Sequence, residues 1–191
     1  MGRLPQKNER SAGEILYGAF DESPLLLGSS DPESQRRGAD LSRSLLKFLP
    51  NNRPEKLVRR LLAIPRETSA ERNPGSAEAR RGTCLASTLV PAAPGIKTKA
   101  LANGMAERFI EAAGEHDQVM TCRVLGGLAD LADLTRPEIR NRIVGVILNA
   151  VADRQLDYSP TSGVYSPPKD CGAEALATLA ELLTLAEDRK R

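Results

Sequence analysis

The chain has to build its core almost without aromatic side chains. Three Phe, three Tyr and no Trp make up 3% of its 191 residues, whereas hydrophobic side chains make up 40%. Leu, Ile, Val and Ala must therefore fill the interior. Because all-β cores rely on aromatic and β-branched residues, this composition favours helices packed on helices. We expect an all-α fold, either a compact helical bundle or a short helical-repeat array, with a flexible, polar N-terminal part.

Prolines and small polar residues indicate where the helices begin. Asp31 before Pro32 predicts a helix that ends near residue 49, and a second helix is predicted to start at Asn52-Arg53-Pro54-Glu55. Thr135-Arg136-Pro137-Glu138 has the pattern of a capping box, in which Thr135 would cap the helix that follows. The spacing of apolar residues predicts further helical stretches over about 15–20, 76–90, 101–113, 124–132, 139–150 and 170–191.

The two halves of the chain differ in composition, which suggests three regions. Nine of the thirteen prolines lie in the first hundred residues, and the second half is denser in apolar residues at helical spacing. We expect a flexible N-terminal segment over 1–30, a weaker helical region with proline-rich connections over 31–95, and an α-helical core domain over 96–191. Leu128 and Ile143 are predicted to lie in that core.

Two stretches of the sequence repeat one arrangement. Residues 48–55 and residues 131–138 each lead from an apolar helix end, through a turn with Arg-Pro-Glu, into another apolar helix. This arrangement resembles the paired-helix unit of HEAT-like α-helical repeat proteins, in which helix hairpins stack and share a continuous core. The resemblance implies a binding surface and no reaction centre.

Cys84 is the first candidate for a reactive group. It follows Arg80 and Arg81 and could lie in the first turn of a helix, and both settings favour the thiolate. His116 could serve as a base and Asp117 as the acid that orients it, which makes a cysteine-dependent hydrolase or transferase one alternative. In the competing interpretation, Cys84 is a small packing residue and His116 lies on a solvated turn.

Adjacent arginines are the second candidate feature. Three pairs lie in the first half of the chain: Arg36 and Arg37, Arg59 and Arg60, and Arg80 and Arg81. A shared basic face could bind phosphates, so a nucleic-acid-binding helical protein is another alternative. Against it, acidic residues are interspersed, the net charge is +2, and aromatic residues that could stack on bases are scarce.

The sequence predicts no cofactor, no metal site and no membrane insertion. One His and three widely spaced Cys (Cys84, Cys122 and Cys171) lack the paired spacing of zinc ligands, and an odd number of Cys favours free thiols in a reducing compartment. The N-terminus has no apolar core of a Sec signal peptide, and the longest apolar stretch is too short to span a bilayer. We expect a soluble protein that is cytoplasmic, or exported without a Sec signal peptide.

Together, these observations favour a non-catalytic helical module that binds another protein. Recognition would use apolar side chains with arginines at the rim. By analogy of organisation, a polar front rich in Ser, Arg and Pro on a helical back also suits a bacterial secreted effector or a secretion-system accessory.

Overall fold

A computed structural model describes residues 12–49, 53–65, 76–113 and 118–156. Within these ranges every regular element is helical, which confirms the predicted all-α fold. The α-helices are α1 (Ala12–Leu27), α2 (Pro32–Phe48), α3 (Arg53–Leu62), α4 (Ala77–Leu89), α5 (Lys99–Ala113), α6 (Gln118–Leu131) and α7 (Pro137–Leu156). Two 3-10 helices, Val90–Gly95 and Ala132–Leu134, follow α4 and α6. The predicted helix over 170–191 lies outside the described residues.

The helix starts follow the local chemistry of the sequence. The Asp31 carboxylate accepts the Ser34 backbone N–H at 2.8 Å and Pro32 begins α2, as predicted. At the start of α7 the expected cap, Thr135, instead donates its hydroxyl to the Ala132 carbonyl at 2.8 Å. The backbone N–H of the next residue, Arg136, donates to Oδ1 of Asn103 in α5 at 2.9 Å. A side chain from a neighbouring helix therefore binds the start of α7.

Helix α1 is longer than the apolar stretch that predicted it. It continues through Pro24 to Leu27 and forms a hairpin with α2. The two helices approach closely at Gly38, where an added Cβ would lie 2.4 Å from the Leu27 backbone nitrogen. The absence of a side chain at position 38 therefore lets the two backbones meet.

A single cluster of buried side chains extends from Leu27 to Ile147 and joins residues on both sides of position 95. Leu128 and Ile143 are fully buried, as predicted. Helix α5 is central, since it packs against α3, α4, α6 and α7. The three-region division of the chain stays a prediction.

Polar contacts fix both ends of the α3–α5 pair. Near the start of α5, Glu55 accepts the backbone N–H groups of Lys97 and Thr98 at 2.9 and 3.2 Å, and the Thr98 hydroxyl at 2.8 Å. Beyond the end of α3, the buried Arg108 guanidinium donates to the Ile64 carbonyl. Both Arg-Pro-Glu sequences therefore begin helices with polar bonds at α5. Helix α3 is bonded through Glu55 to the two residues before α5, and α7 is bonded through the Arg136 backbone to Asn103 within α5.

Among the described helices, none is both long enough and apolar enough to cross a membrane.

Candidate functional site

Cys84 lies in the middle of α4, half-buried, and not in the first turn. Burial raises the pKa of its thiol above the ordinary value, although the guanidinium groups of Arg43, Arg36 and Arg80 oppose this shift. The thiol is therefore held in its protonated form, which is the weaker nucleophile. The environment is that of a packing residue.

The other members of the proposed cysteine site lie outside the described residues. His116 and Asp117 fall between the end of α5 and the start of α6, and Cys171 falls beyond α7. Cys122 belongs to α6. In the part of the chain that the structure describes, no three His, Cys, Asp or Glu side chains are grouped closely enough to hold a metal ion.

One member of the second arginine pair and one member of the third bond to other parts of the fold. Arg60 contacts α1, where it forms an ion pair with Asp21 and its guanidinium carbon lies 5.1 Å from the Phe20 ring centroid. Arg81 donates to the Gly28 carbonyl at 3.2 Å, at the turn between α1 and α2. These two side chains attach helices to one another, so they act within the fold.

A different set of cations comes together on the outer side of α2. Arg36, Arg43 and Lys47 are exposed and follow one another at spacings of seven and four residues, which places them on one side of the helix. Arg80 of α4 is, like Arg36 and Arg43, near enough to act on the Cys84 thiol. We call Arg36, Arg43, Lys47 and Arg80 the basic row.

Several exposed apolar side chains lie at the open end of the α1–α2 hairpin. Gly38 of α2 meets the backbone of Leu27 in α1. Tyr17 lies ten residues before Leu27, and Phe48 lies ten residues after Gly38. Ten helical residues span about 15 Å, so Tyr17 and Phe48 are equally far from the contact and lie at the same end of the hairpin.

This end is apolar and accessible to solvent. Tyr17 is 63% exposed and Phe48 74%, and they are accompanied by Ile15 at 58% and Leu16 at 49%. We call these four residues the aromatic end. The other large exposed apolar side chains of the described residues, Leu25 on α1 and Leu148 on α7, lie apart from it.

Sequence reasoning missed the aromatic end for a physical reason. Tyr17 stands in an apolar stretch that predicts a buried helix face, and Phe48 stands at the last turn of α2, where the sequence does not show which neighbour covers it. Tyr17 and Phe48 lie at the same end of the hairpin because of the register in which α1 packs against α2, and that register is not evident from the sequence. The scarcity of aromatic residues was the available signal, because each one that is not needed in the core is a candidate for recognition.

The chain matches no protein-family model, and comparisons with the curated proteins and with the solved structures find no similar protein.

Proposed function

We propose that this chain is a non-catalytic helical module that binds another protein through the aromatic end. The observation that carries the proposal is the exposure of Tyr17 and Phe48 at the same end of the α1–α2 hairpin. Among the four aromatic side chains that the structure describes, Phe109 is fully buried and Phe20 is half-buried. Two of four aromatic residues are thus presented to solvent.

Energetics support this use of the surface. Aromatic side chains supply much of the binding energy of protein interfaces, because each buries a large rigid area at a small cost in side-chain entropy. Removing one such side chain from water contributes about 1.5–3 kcal/mol. The exposed neighbours Ile15 and Leu16 add aliphatic area that a partner could cover at this end of the hairpin.

The alternatives have less support. A cysteine-dependent enzyme needs an activated thiolate, and burial of Cys84 favours the thiol. A nucleic-acid-binding face built from all three arginine pairs would need Arg60 and Arg81, which are bonded to α1 and to the turn after it.

Site-specific photo-crosslinking in the cells that naturally produce the chain tests the proposal. A benzophenone amino acid replaces Phe48, and the adducts are identified by mass spectrometry. We expect a discrete crosslink to one polypeptide, because the aromatic end is part of the interface. Adding Leu16→Arg to the same protein should lower the yield of that adduct, since a charge would then be buried beside the photoreactive group.

The same photoreactive residue at Leu148 is the matched control, because that side chain is also apolar and exposed but lies on α7. Failure to obtain an adduct from position 48, or recovery of the same adduct in equal yield from position 148, would refute binding through the aromatic end.

A further inference from the structure

Helix α7 is apolar on a second side, next to the side that packs into the core. It packs against α5 and α6, and Ile143 and Ile147 are fully buried on the inward side. Val144 and Leu148 lie about 100–140° around the helix from Ile143. Leu148 is 53% exposed and Val144 is partly exposed, and we call these two residues the outer stripe. No charged or polar side chain occurs from residue 143 to residue 148, a pattern typical of a helix that is covered on more than one side.

The backbone beside the outer stripe is open to a close neighbour. Gly145 lies about 60° beyond Leu148 around α7, and a Cβ added at Gly145 would have no described atom within 4 Å. In this fold, the absence of a side chain at Gly38 lets the backbones of α1 and α2 meet. Another helix could approach α7 at Gly145 in the same way.

The sequence after α7 contains a segment with the complementary pattern. Within the predicted helical stretch 170–191, Leu176, Leu179 and Leu183 recur at spacings of three and four residues, which would place them on one face. Thr178 would lie about 150° around the helix from that face. Because most of the stability of an amphipathic helix comes from the packing of its apolar face, these leucines need an apolar surface to cover them.

The connection is long enough for this segment to turn back along α7. Residues 157–169 can span up to about 40 Å when extended. Leu148 lies eight residues, or about 12 Å, before the end of α7 at Leu156. Pro160, Pro167 and Pro168 disfavour continuation of α7 through the connection. A helix that returns along α7 after the connection would run antiparallel to it.

We propose that residues 170–191 form a helix that packs antiparallel to α7, with Leu176, Leu179 and Leu183 on the outer stripe. This proposal goes beyond the proposed function, because it makes the outer side of α7 an interface within the chain and not a surface for a partner. It concerns a different helix from those that form the aromatic end.

A second copy of the chain fits the outer stripe less well than this segment does. A stable interface between two proteins buries about 1,200–2,000 Å², and two side chains on one helix supply only a small part of that area. A segment of the same chain needs less area, since its tether provides an effective concentration of about the millimolar range.

Photo-crosslinking within the purified full chain tests the proposal. A benzophenone amino acid replaces Leu148, and mass spectrometry identifies the crosslinked peptides after digestion. We expect a crosslink between position 148 and residues 170–191, in a yield that does not depend on protein concentration. Leu179→Asp should remove most of that yield, because a carboxylate would be buried against α7. Thr178→Asp is the matched control: it adds the same charge to the opposite face and should leave the yield unchanged.

Urea denaturation of the full chain gives a second measurement without the photoreactive residue. Leu148→Asp should lower the midpoint of unfolding more than Leu25→Asp does, because a charge at position 148 would be buried under the segment. Leu25 is the matched control, since it is an exposed leucine on α1. Equal shifts of the two midpoints, or a crosslink yield that Leu179→Asp leaves unchanged, would overturn the proposal.

Other occupants of the outer stripe give different results. If position 148 crosslinked to a second copy, in a yield that rose with protein concentration, the stripe would be a dimer interface. If residues 170–191 crosslinked to position 48 and not to position 148, the segment would cover the aromatic end. Each of these results would overturn the proposal. The crosslink from position 48 to another polypeptide in cells tests the proposed function separately, so a failure of one is distinguishable from a failure of the other.

Discussion

Gly127 of α6 faces the buried ring of Phe109 in α5 so closely that a Cβ at position 127 would lie 2.7 Å from Cε2 of that ring. A carbon atom needs about 3.5 Å, so this contact exists because residue 127 has no side chain. The preceding residue, Gly126, is exposed on the same helix, and a Cβ there would have no neighbour within 4 Å. The glycine pair thus has one member that the packing requires and one that it does not.

We predict opposite effects for alanine at the two glycines. Gly126→Ala should raise the free energy of unfolding by up to about 1 kcal/mol, because alanine is the better helix former. Gly127→Ala gains the same helix propensity but must displace a fully buried ring, and overpacking of this kind costs about 1–3 kcal/mol. Urea denaturation of the two variants measures the difference, and equal midpoints would contradict the α5–α6 contact.

The three hydrogen bonds accepted by Glu55 lead to a second prediction. Glu55→Gln should lower the free energy of unfolding at neutral pH by about 1 kcal/mol, because the side chain is partly exposed and loses charge-assisted bonds to the segment before α5. Glu138→Gln is the matched control. Glu138 has the same position in the second Arg-Pro-Glu sequence, and it is exposed.

The stability that Glu55 contributes should depend on pH. The Lys97 backbone N–H, followed by the Thr98 hydroxyl, lowers the pKa of the Glu55 carboxyl below its ordinary value of 4.5. Because the pKa is lower in the folded than in the unfolded chain, the contribution is complete above about pH 4.5 and is lost as the pH falls through the folded pKa. The free energies of unfolding of the parent and Glu55→Gln chains should converge as the pH falls below about 4.5. A difference between them that stays constant down to pH 2 would contradict the hydrogen bonds assigned to the Glu55 carboxylate.

The positions of the helices could largely be predicted from local sequence, because caps act over a few residues. Asp31 with Pro32 specifies a helix start through a side-chain acceptor and a fixed backbone angle, without reference to the rest of the fold. Pro54 does so through its fixed backbone angle. The full extent of α1 could not be predicted in this way. Its continuation through Pro24 depends on packing against α2 at Gly38, which is a contact between distant residues.

The candidate site was harder to predict than the helices for a related reason. Neighbouring residues on a helix point about 100° apart, so a sequence pair such as Arg59 and Arg60 belongs to two faces. Arg60 bonds to α1. The basic row instead contains one member of the first pair, Arg36, and one member of the third, Arg80, together with Arg43 and Lys47. The grouping follows the packing of α2 against α4, and composition contains no information about that packing.

A third prediction concerns the reactivity of Cys84. Its alkylation rate should rise with pH, and the midpoint of that rise should lie above the ordinary thiol pKa. Burial raises the pKa by more than the nearby guanidinium groups lower it. Arg43→Gln should raise the pKa further and slow alkylation about two- to fivefold at a fixed pH, since a cation that stabilises the thiolate is removed. Arg142→Gln should have no effect. Peptide-resolved mass spectrometry measures the rate, and a midpoint below the ordinary value that disappears with His116→Ala would instead favour the cysteine-dependent alternative.

The buried guanidinium of Arg108 gives the last prediction. This side chain of α5 donates to the Ile64 carbonyl and lies 4.0 Å from the Glu111 carboxylate, so it connects the chain after α3 to the central helix. Arg108→Met retains most of the volume but removes the donor, which leaves a carbonyl without that bond in the interior. We expect the free energy of unfolding to fall by about 2–3 kcal/mol, measured by urea denaturation.

The same change at the exposed Arg142 should cost less than about 0.5 kcal/mol. Equal losses at the two positions would show that the Arg108 bond contributes nothing specific, and the attachment of α3 to α5 would then rest on Glu55 and on the apolar contacts between the two helices.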